Sequence, residues 1–248
     1  MTKKVKKIRL GINIDHIAFI KKSRGTKYPN LIEAVNICEE EGVDLITIHL
    51  REDRRHIQDQ DVIDIRKNAN SLNLEMAHTD EMIEIALNVK PNFCCIVPEK
   101  REELTTEGGL DLNNLDHASL KKLEKTISTF NENDIETSLF IDPDENQIQI
   151  AKELNANLIE LHTGSYANCS SKIESEMLLE KLKNSCNFAR KKGLLVNAGH
   201  GLNYENVKPI CKLPFNELNI GHAVIAKSVF IGLKDAIRQM ISIMRSCD

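Results

Sequence analysis

The chain has 248 residues, 41% hydrophobic and 28% charged, with a net charge of −4; that is enough for one large domain or two small ones and too balanced for a disordered tract. The mild acidity gives no footprint for nucleic acid, no apolar run reaches membrane-spanning length, and MTKKVKKIRL lacks the apolar stretch and cleavage site of a secretory signal. Seven cysteines without a CxxC read as reduced thiols of a cytoplasmic protein rather than disulfides or a zinc site.

In chain order, strand-like and helix-like patterns alternate. IRLGINID, residues 8 to 15, reads as a strand, and LIEAVNICEEEG as an amphipathic helix closed by Gly42. LITIHL precedes helical DVIDIRKNANS, NLEMA precedes TDEMIEIALNVK, and FCCIVP precedes a long insertion and then HASLKKLEKTISTFNEND. SLFID precedes DENQIQIAKELN, LIELHT precedes IESEMLLEKLKNSCNFARKKG, LLVNAG precedes NYENVKPICKL, and ELNIG precedes a helical C-terminus from Ala223. Capping residues in TDEM and DPDENQ fit this register. Eight strand and helix pairs over this length predict an α/β protein: one (β/α)₈ TIM barrel of parallel strands spanning residues 1–248, with extra helical or loop insertions. The rival is an open doubly wound sheet, but no GxGxxG follows the first strand.

Successive strand side chains point to opposite faces, and one face of these strands is polar. It carries Asn13 and Asp15 in the first strand, Thr47, His49 and Arg51 in the second, and Asn73 and Glu75 in the third. The sixth adds Glu160 and His162, the seventh Asn197 and the eighth Asn219. With helices outside, this face must line the barrel, and buried polar groups need partners. Glu75, flanked by apolar neighbours in NLEMA, is placed to have a raised pKa and to act as a general base. The competing role is a structural carboxylate paired with Arg51, and Glu160 invites the same two readings.

The seventh strand ends NAGHGL and the eighth NIGHAVI. Gly-His steps at these two strand ends predict a phosphate site built from backbone N–H groups and a helix N-terminus. His49, His56, His162, His200 and His222 could instead form a metal set, but HxH and HExxH are absent and the nearby arginines would repel a cation. A Schiff-base lysine has one candidate near a strand end, Lys100. It lies in PEKREELTTEGG, which is long for a βα loop and reads as a ligand-covering lid or a solvated insertion.

NIDHIA, SRGT, HLREDRRHI, NLEMA, CCIVPEKREELTTEGGLD, SLFID, IELHTG, VNAGHGL and ELNIGHAVI, in this order and spacing, closely resemble the pyridoxine 5′-phosphate synthase family of vitamin B6 biosynthesis. The resemblance runs from Ile8 to about Asp235. It implies condensation of 3-amino-2-oxopropyl phosphate with 1-deoxy-D-xylulose 5-phosphate to pyridoxine 5′-phosphate, phosphate and water, with no metal or organic cofactor and with homo-oligomers, typically octamers. It implies that His49 and Glu75 accept protons, His200 donates one and Glu160 stabilises the transition state. Asn13, Arg24, Gly201, Gly221 and His222 match contacts to the aminoketone phosphate or the product phosphate, and Asp15, His16, Arg51, His56 and Thr105 match contacts to the deoxyxylulose phosphate. The stretch between His56 and Glu75, and His78 after NLEMA, depart from the family pattern outside these blocks. Another phosphosugar isomerase or aldolase on the same barrel is the alternative; it would keep the Gly-His loops without needing both His49 and Glu75.

Overall fold

A computed structural model describes residues 7–99 and 108–247. Its strands are β1 (Arg9–Asn13), β2 (Leu45–His49), β3 (Leu72–Met76), β4 (Phe93–Ile96), β5 (Glu136–Ile141), β6 (Leu158–His162), β7 (Leu195–Gly199) and β8 (Glu217–Ile220). Each pairs in parallel with the next, and β8 pairs with β1, so the sheet closes into a (β/α)₈ barrel rather than staying open. Helices α1 (Asp15–Arg24) and α2 (Leu31–Glu40) follow β1, while α3 (Asp59–Asn68), α4 (Asp80–Val89), α5 (His117–Glu132) and α6 (Glu145–Glu153) follow β2 to β5 in turn. After β6 come α7 (Gly164–Ala167) and α8 (Lys172–Lys191), after β7 α9 (Val207–Ile210), and after β8 α10 (His222–Ile231) and α11 (Leu233–Arg245).

Local chemistry sets these boundaries. The Thr79 hydroxyl accepts the Met82 N–H to start α4, and the Asp144 carboxylate accepts the Gln147 N–H to start α6. Three expectations need correction. First, Asp15 is not part of the first strand: the Asn13 side chain accepts the Asp15 N–H at 3.0 Å, turning the chain out of β1 so that Asp15 opens α1. Second, NYENVKPICKL supplies only the single turn α9, because Asn203 and Asn206 bond to neighbouring backbone N–H groups and hold a turn before it. Third, the C-terminal helix is two helices broken at Gly232, whose φ of 82° lies in the left-handed region.

Between barrel and helices lies an apolar shell that includes Ile12, Ile46, Leu74, Ile96, Ile159 and Val196, with the free thiols Cys38, Cys94 and Cys186 packed as small apolar groups. Inside the barrel β4 and β5 supply a small apolar cluster, Cys95, Val97 and Phe140; Leu45 and Leu158 are buried on the same inner face, and most of its other described side chains are polar. At the floor Arg9 meets Glu217 at 3.0 Å, and the Asn197 amide donates to Glu217 at 3.0 Å. One layer up, Asn219 donates to Glu160 at 2.7 Å and accepts from the Thr47 hydroxyl at 3.0 Å. Gly11 makes this possible, since a Cβ there would stand 2.1 Å from Asn219 Oδ1.

Gly11→Ala is therefore expected to push Asn219 off both Thr47 and Glu160. The loss should be about 1–3 kcal/mol, as for other overpacked cores, or roughly 2–12 °C in melting temperature for a chain of this size. A thermal melt checks it; an unchanged midpoint would mean the interior repacks freely.

Candidate active site

The polar inner face opens at the C-terminal ends of the strands, and three carboxyl groups converge there. His49 on β2 and Glu75 on β3 are partners in strand register. Asp15, at the start of α1, accepts the His49 N–H at 2.9 Å and the Asn13 amide at 2.9 Å. Glu160 fits only because residue 199 is glycine: a Cβ there would lie 2.1 Å from Glu160 Oε1. Burial pushes Asp15 up to about 6, even with His49 beside it. Burial, with Glu217 adding repulsion against the Asn219 hydrogen bond, pushes Glu160 up to about 8. Burial also holds Glu75 well above the usual carboxylate range, reinforced by Glu160 and Asp15. Three carboxyls at one dry mouth cannot all ionise.

Histidines ring one side of these acids. His16 stacks near His222 with ring centres 4.8 Å apart, Phe19 meets His56 at 4.7 Å, and His49 and His56 are 6.1 Å apart. His56 Nδ1 accepts the Ile57 N–H at 2.8 Å, so its ring proton sits on Nε2 and faces away from the backbone. Burial, then the charges of His49 and Arg51, pull His56 down to about 3. Of the three arginines in HLREDRRHI, Arg51 is buried in this cluster, whereas Arg54 reaches Asp59 and Glu81 and Arg55 reaches Asp53.

Sequence reading missed Glu99. Its side chain is 2% exposed and lies 3.5 Å from His49 Nε2 and 3.4 Å from Arg51 Nε, while accepting the Glu52 N–H at 3.0 Å. Burial works against its ionisation, but His49, Arg51 and that N–H hold its pKa below the ordinary value. The signal was available: Glu99 continues the two-residue period of Cys95 and Val97, both inner-face residues of β4. Asp142 likewise continues Ser138 and Phe140 past the end of β5 and meets His162 at 2.9 Å.

The Gly-His steps form the other side. His200 and Gly201 have φ of 80° and 79°, two consecutive left-handed residues. The Thr163 hydroxyl fixes that turn by donating to the carbonyls of Gly199 at 2.7 Å and His200 at 2.6 Å. Burial, then the neighbouring His162, pull His200 down to about 4. Gly221 packs against Asn13, where a Cβ would stand 2.9 Å from Asn13 Cβ, and His222 opens α10. Arg24 sits exposed in the last turn of α1, and no described hydrogen bond or ion pair joins it to the cluster. Thr105, Lys100 and most of PEKREELTTEGG lie outside the described residues. Among the described residues no three His, Cys, Asp or Glu are arranged to hold a metal ion.

The family model described as "Pyridoxal phosphate biosynthesis protein PdxJ" matches residues 10–246. The chain belongs to this family. It is 53% identical over 233 residues to the pyridoxine 5′-phosphate synthase of Blochmanniella pennsylvanica (strain BPEN), covering 93% of this chain and 94% of that protein. It is 51% identical over 239 residues to that of Thioalkalivibrio sulfidiphilus (strain HL-EbGR7), covering 96% of each. Among solved structures, 3-hexulose-6-phosphate synthase from Salmonella typhimurium superposes with a TM-score of 0.65 at 10% identity, covering 97% of this chain and all (100%) of that one. Orotidine 5′-monophosphate decarboxylase from Methanocaldococcus jannaschii gives 0.65 at 12% identity, covering 96% and 99%. At these identities the two structures share the barrel fold with this member of the PdxJ family.

Glu99 generates a prediction for this cluster. An anion arriving at Arg51 and His49 competes with the Glu99 carboxylate, so Glu99→Gln is expected to bind inorganic phosphate about three- to tenfold more tightly, a change of roughly 1 kcal/mol. Titration calorimetry measures it. Weaker binding by the variant would show that Glu99 organises the anion site instead of occupying it.

Proposed function

We propose that this chain makes pyridoxine 5′-phosphate by condensing 3-amino-2-oxopropyl phosphate with 1-deoxy-D-xylulose 5-phosphate, releasing phosphate and water, through general acid–base catalysis at the barrel mouth. Membership of the PdxJ family and the named relatives support the reaction. One observation carries the mechanism: acids with raised pKa and histidines with lowered pKa stand side by side at the same strand ends. Environments that push such groups apart assign acid and base roles.

In this reading Glu75 and Glu160 share protons at neutral pH, so that an ionised Glu75 accepts a proton while its neighbour remains neutral. His49, in register with Glu75, accepts protons on the other face of the substrate pair. His200 is neutral in the empty site; the charge of an incoming phosphate raises its proton affinity, and it then donates to a leaving oxygen. Forming the carbon–nitrogen bond, losing water, eliminating phosphate and closing the ring are all proton transfers, which several strand ends serve at once. Glu160, held by Asn219, stabilises charge that develops between these groups.

The binding roles follow the same pattern. Asp15, His16, Arg51, His56 and Thr105 hold the deoxyxylulose phosphate; Asn13, Arg24, Gly201, Gly221 and His222 hold the aminoketone or product phosphate. The mouth supplies donors suited to this: buried Arg51, the Nε2 proton of His56, and the start of α10. The chain works as a single barrel domain, without metal or organic cofactor, in the cytoplasm; no helix among the described residues is long and apolar enough to cross a membrane. It assembles as a homo-oligomer, an octamer in the family pattern. Phe230, 86% exposed on α10, and Ile20, 50% exposed on α1, are apolar surface consistent with such an assembly.

Incubating the protein with both substrates and following pyridoxine 5′-phosphate by fluorescence tests the reaction. Glu75→Gln tests its base: turnover is expected to fall by about 10² to 10⁴ with the melting temperature close to the parent's. A variant that melts several degrees lower yet retains most of its turnover would make Glu75 a packing residue.

A further inference from the structure

His162 has no role in the reading above, although its surroundings are built as closely as those of Glu160. It closes β6, is 7% exposed, and places Nδ1 2.9 Å from Asp142 Oδ1. A carboxylate there accepts a hydrogen bond from Nδ1–H and fixes the tautomer, leaving Nε2 as the free nitrogen. That Nε2 is buried and has no hydrogen-bond partner among the described residues. A buried ring nitrogen without a partner is costly unless a ligand completes it.

His200 packs beside it, with the two ring centres 5.0 Å apart and the rings inclined at 61°. Residue 164 keeps the space between them open: a Cβ on Gly164 would stand 2.3 Å from His162 Nε2 and 3.1 Å from His200 Cδ2. Phe140 forms the apolar wall, its ring 5.3 Å from that of His162. Among the described residues, the charged and titratable groups around the pair include Asp142 just past β5, His200 just past β7, Glu160 two residues earlier on β6, and Lys181 of α8, which acts on Asp142. Two imidazoles this close in a dry pocket do not both carry charge.

We propose that Asp142 and His162 form a positioning dyad for His200: the Asp142 carboxylate accepts the His162 Nδ1–H, and the ring so fixed packs against His200 and holds it where it reaches the leaving oxygen. His200 takes up a solvent proton as phosphate binds and gives that proton to the leaving oxygen, while the Nδ1–H of His162 stays on Asp142 throughout. Asp142 also accepts the Gly109 N–H at 3.4 Å, which ties the dyad to the end of the connection between β4 and α5.

The proposal rests on the donor role of His200, so the test separates the two. Full-length protein with selectively labelled histidine is titrated by NMR, His200 being assigned by the signal missing in His200→Gln, and turnover is measured on the same variants. His162→Gln and Asp142→Asn are each expected to lower kcat about ten- to hundredfold with KM changed less than about threefold. His162→Gln should raise the pH at which His200 titrates, by about one unit, because the neighbouring ring that opposes its charge is gone, and Asp142→Asn should move that titration as well. The double variant should fall no further than either single one, as for groups that act as a unit. Parental kcat and an unmoved His200 titration in His162→Gln would make the pair packing and overturn the dyad, as would a loss of kcat that follows a lowered melting temperature with the titration unmoved. If His200→Gln kept parental turnover, the donor role would fail and the dyad with it; if His200→Gln were inactive while His162→Gln was unimpaired, the dyad alone would fail.

Discussion

Closing eight parallel strands on themselves aims alternate side chains of every strand at one narrow axis, and in this chain most of those side chains are polar. Water cannot solvate them there as it would on an open sheet, so each must find a partner inside the barrel or change its protonation. Lower in the barrel they find partners: Arg9 with Glu217, Asn197 with Glu217, and Asn219 between Thr47 and Glu160. Partners do not offset burial for the carboxyls: Glu217, paired with Arg9 at the floor, is raised to about 7, and at the mouth Glu75, Glu160 and Asp15 are raised as well.

The same dryness acts in the opposite direction on bases. His56 and His200 are pushed down by burial and by their neighbours, while Glu99 and Asp142, each beside a histidine, are held below the ordinary carboxylate value despite burial. The mouth thus holds two kinds of carboxyl: crowded ones that keep protons and histidine-paired ones that do not. Glycines at 11 and 199 make that sorting possible, because each lets a polar side chain lie where a Cβ would collide with it.

Much of this was legible in the sequence because period two is so regular in the strands. The polar face was read correctly at Thr47, His49, Asn73, Glu75, Glu160, Asn197 and Asn219, since each alternates with apolar residues that pack outward. Asp15 shares that parity but leaves the strand, because the side chain of Asn13 competes with the ladder for its N–H. Glu99 and Asp142 went unread for the converse reason: they keep the period beyond the last strand hydrogen bonds, where a charged residue resembles ordinary loop. The short α9 and the break at Gly232 depend on Asn side-chain bonds and a left-handed φ, and periodicity carries neither. Long-range pairs such as His49 with Glu99 and His162 with Asp142 exist only once the barrel closes.

Barrel closure forces the Glu75–Glu160 pair to keep a proton at neutral pH. The carboxylic-acid carbonyl stretch of the ligand-free protein measures this directly by infrared difference spectroscopy against Glu160→Gln and Glu75→Gln. A protonated-carboxyl band present at pH 7, lost in these variants and fading only as the pH passes about 8, the value to which Glu160 is raised, is the predicted result. A band already gone above about pH 5, where ordinary glutamates have ionised, would contradict the account.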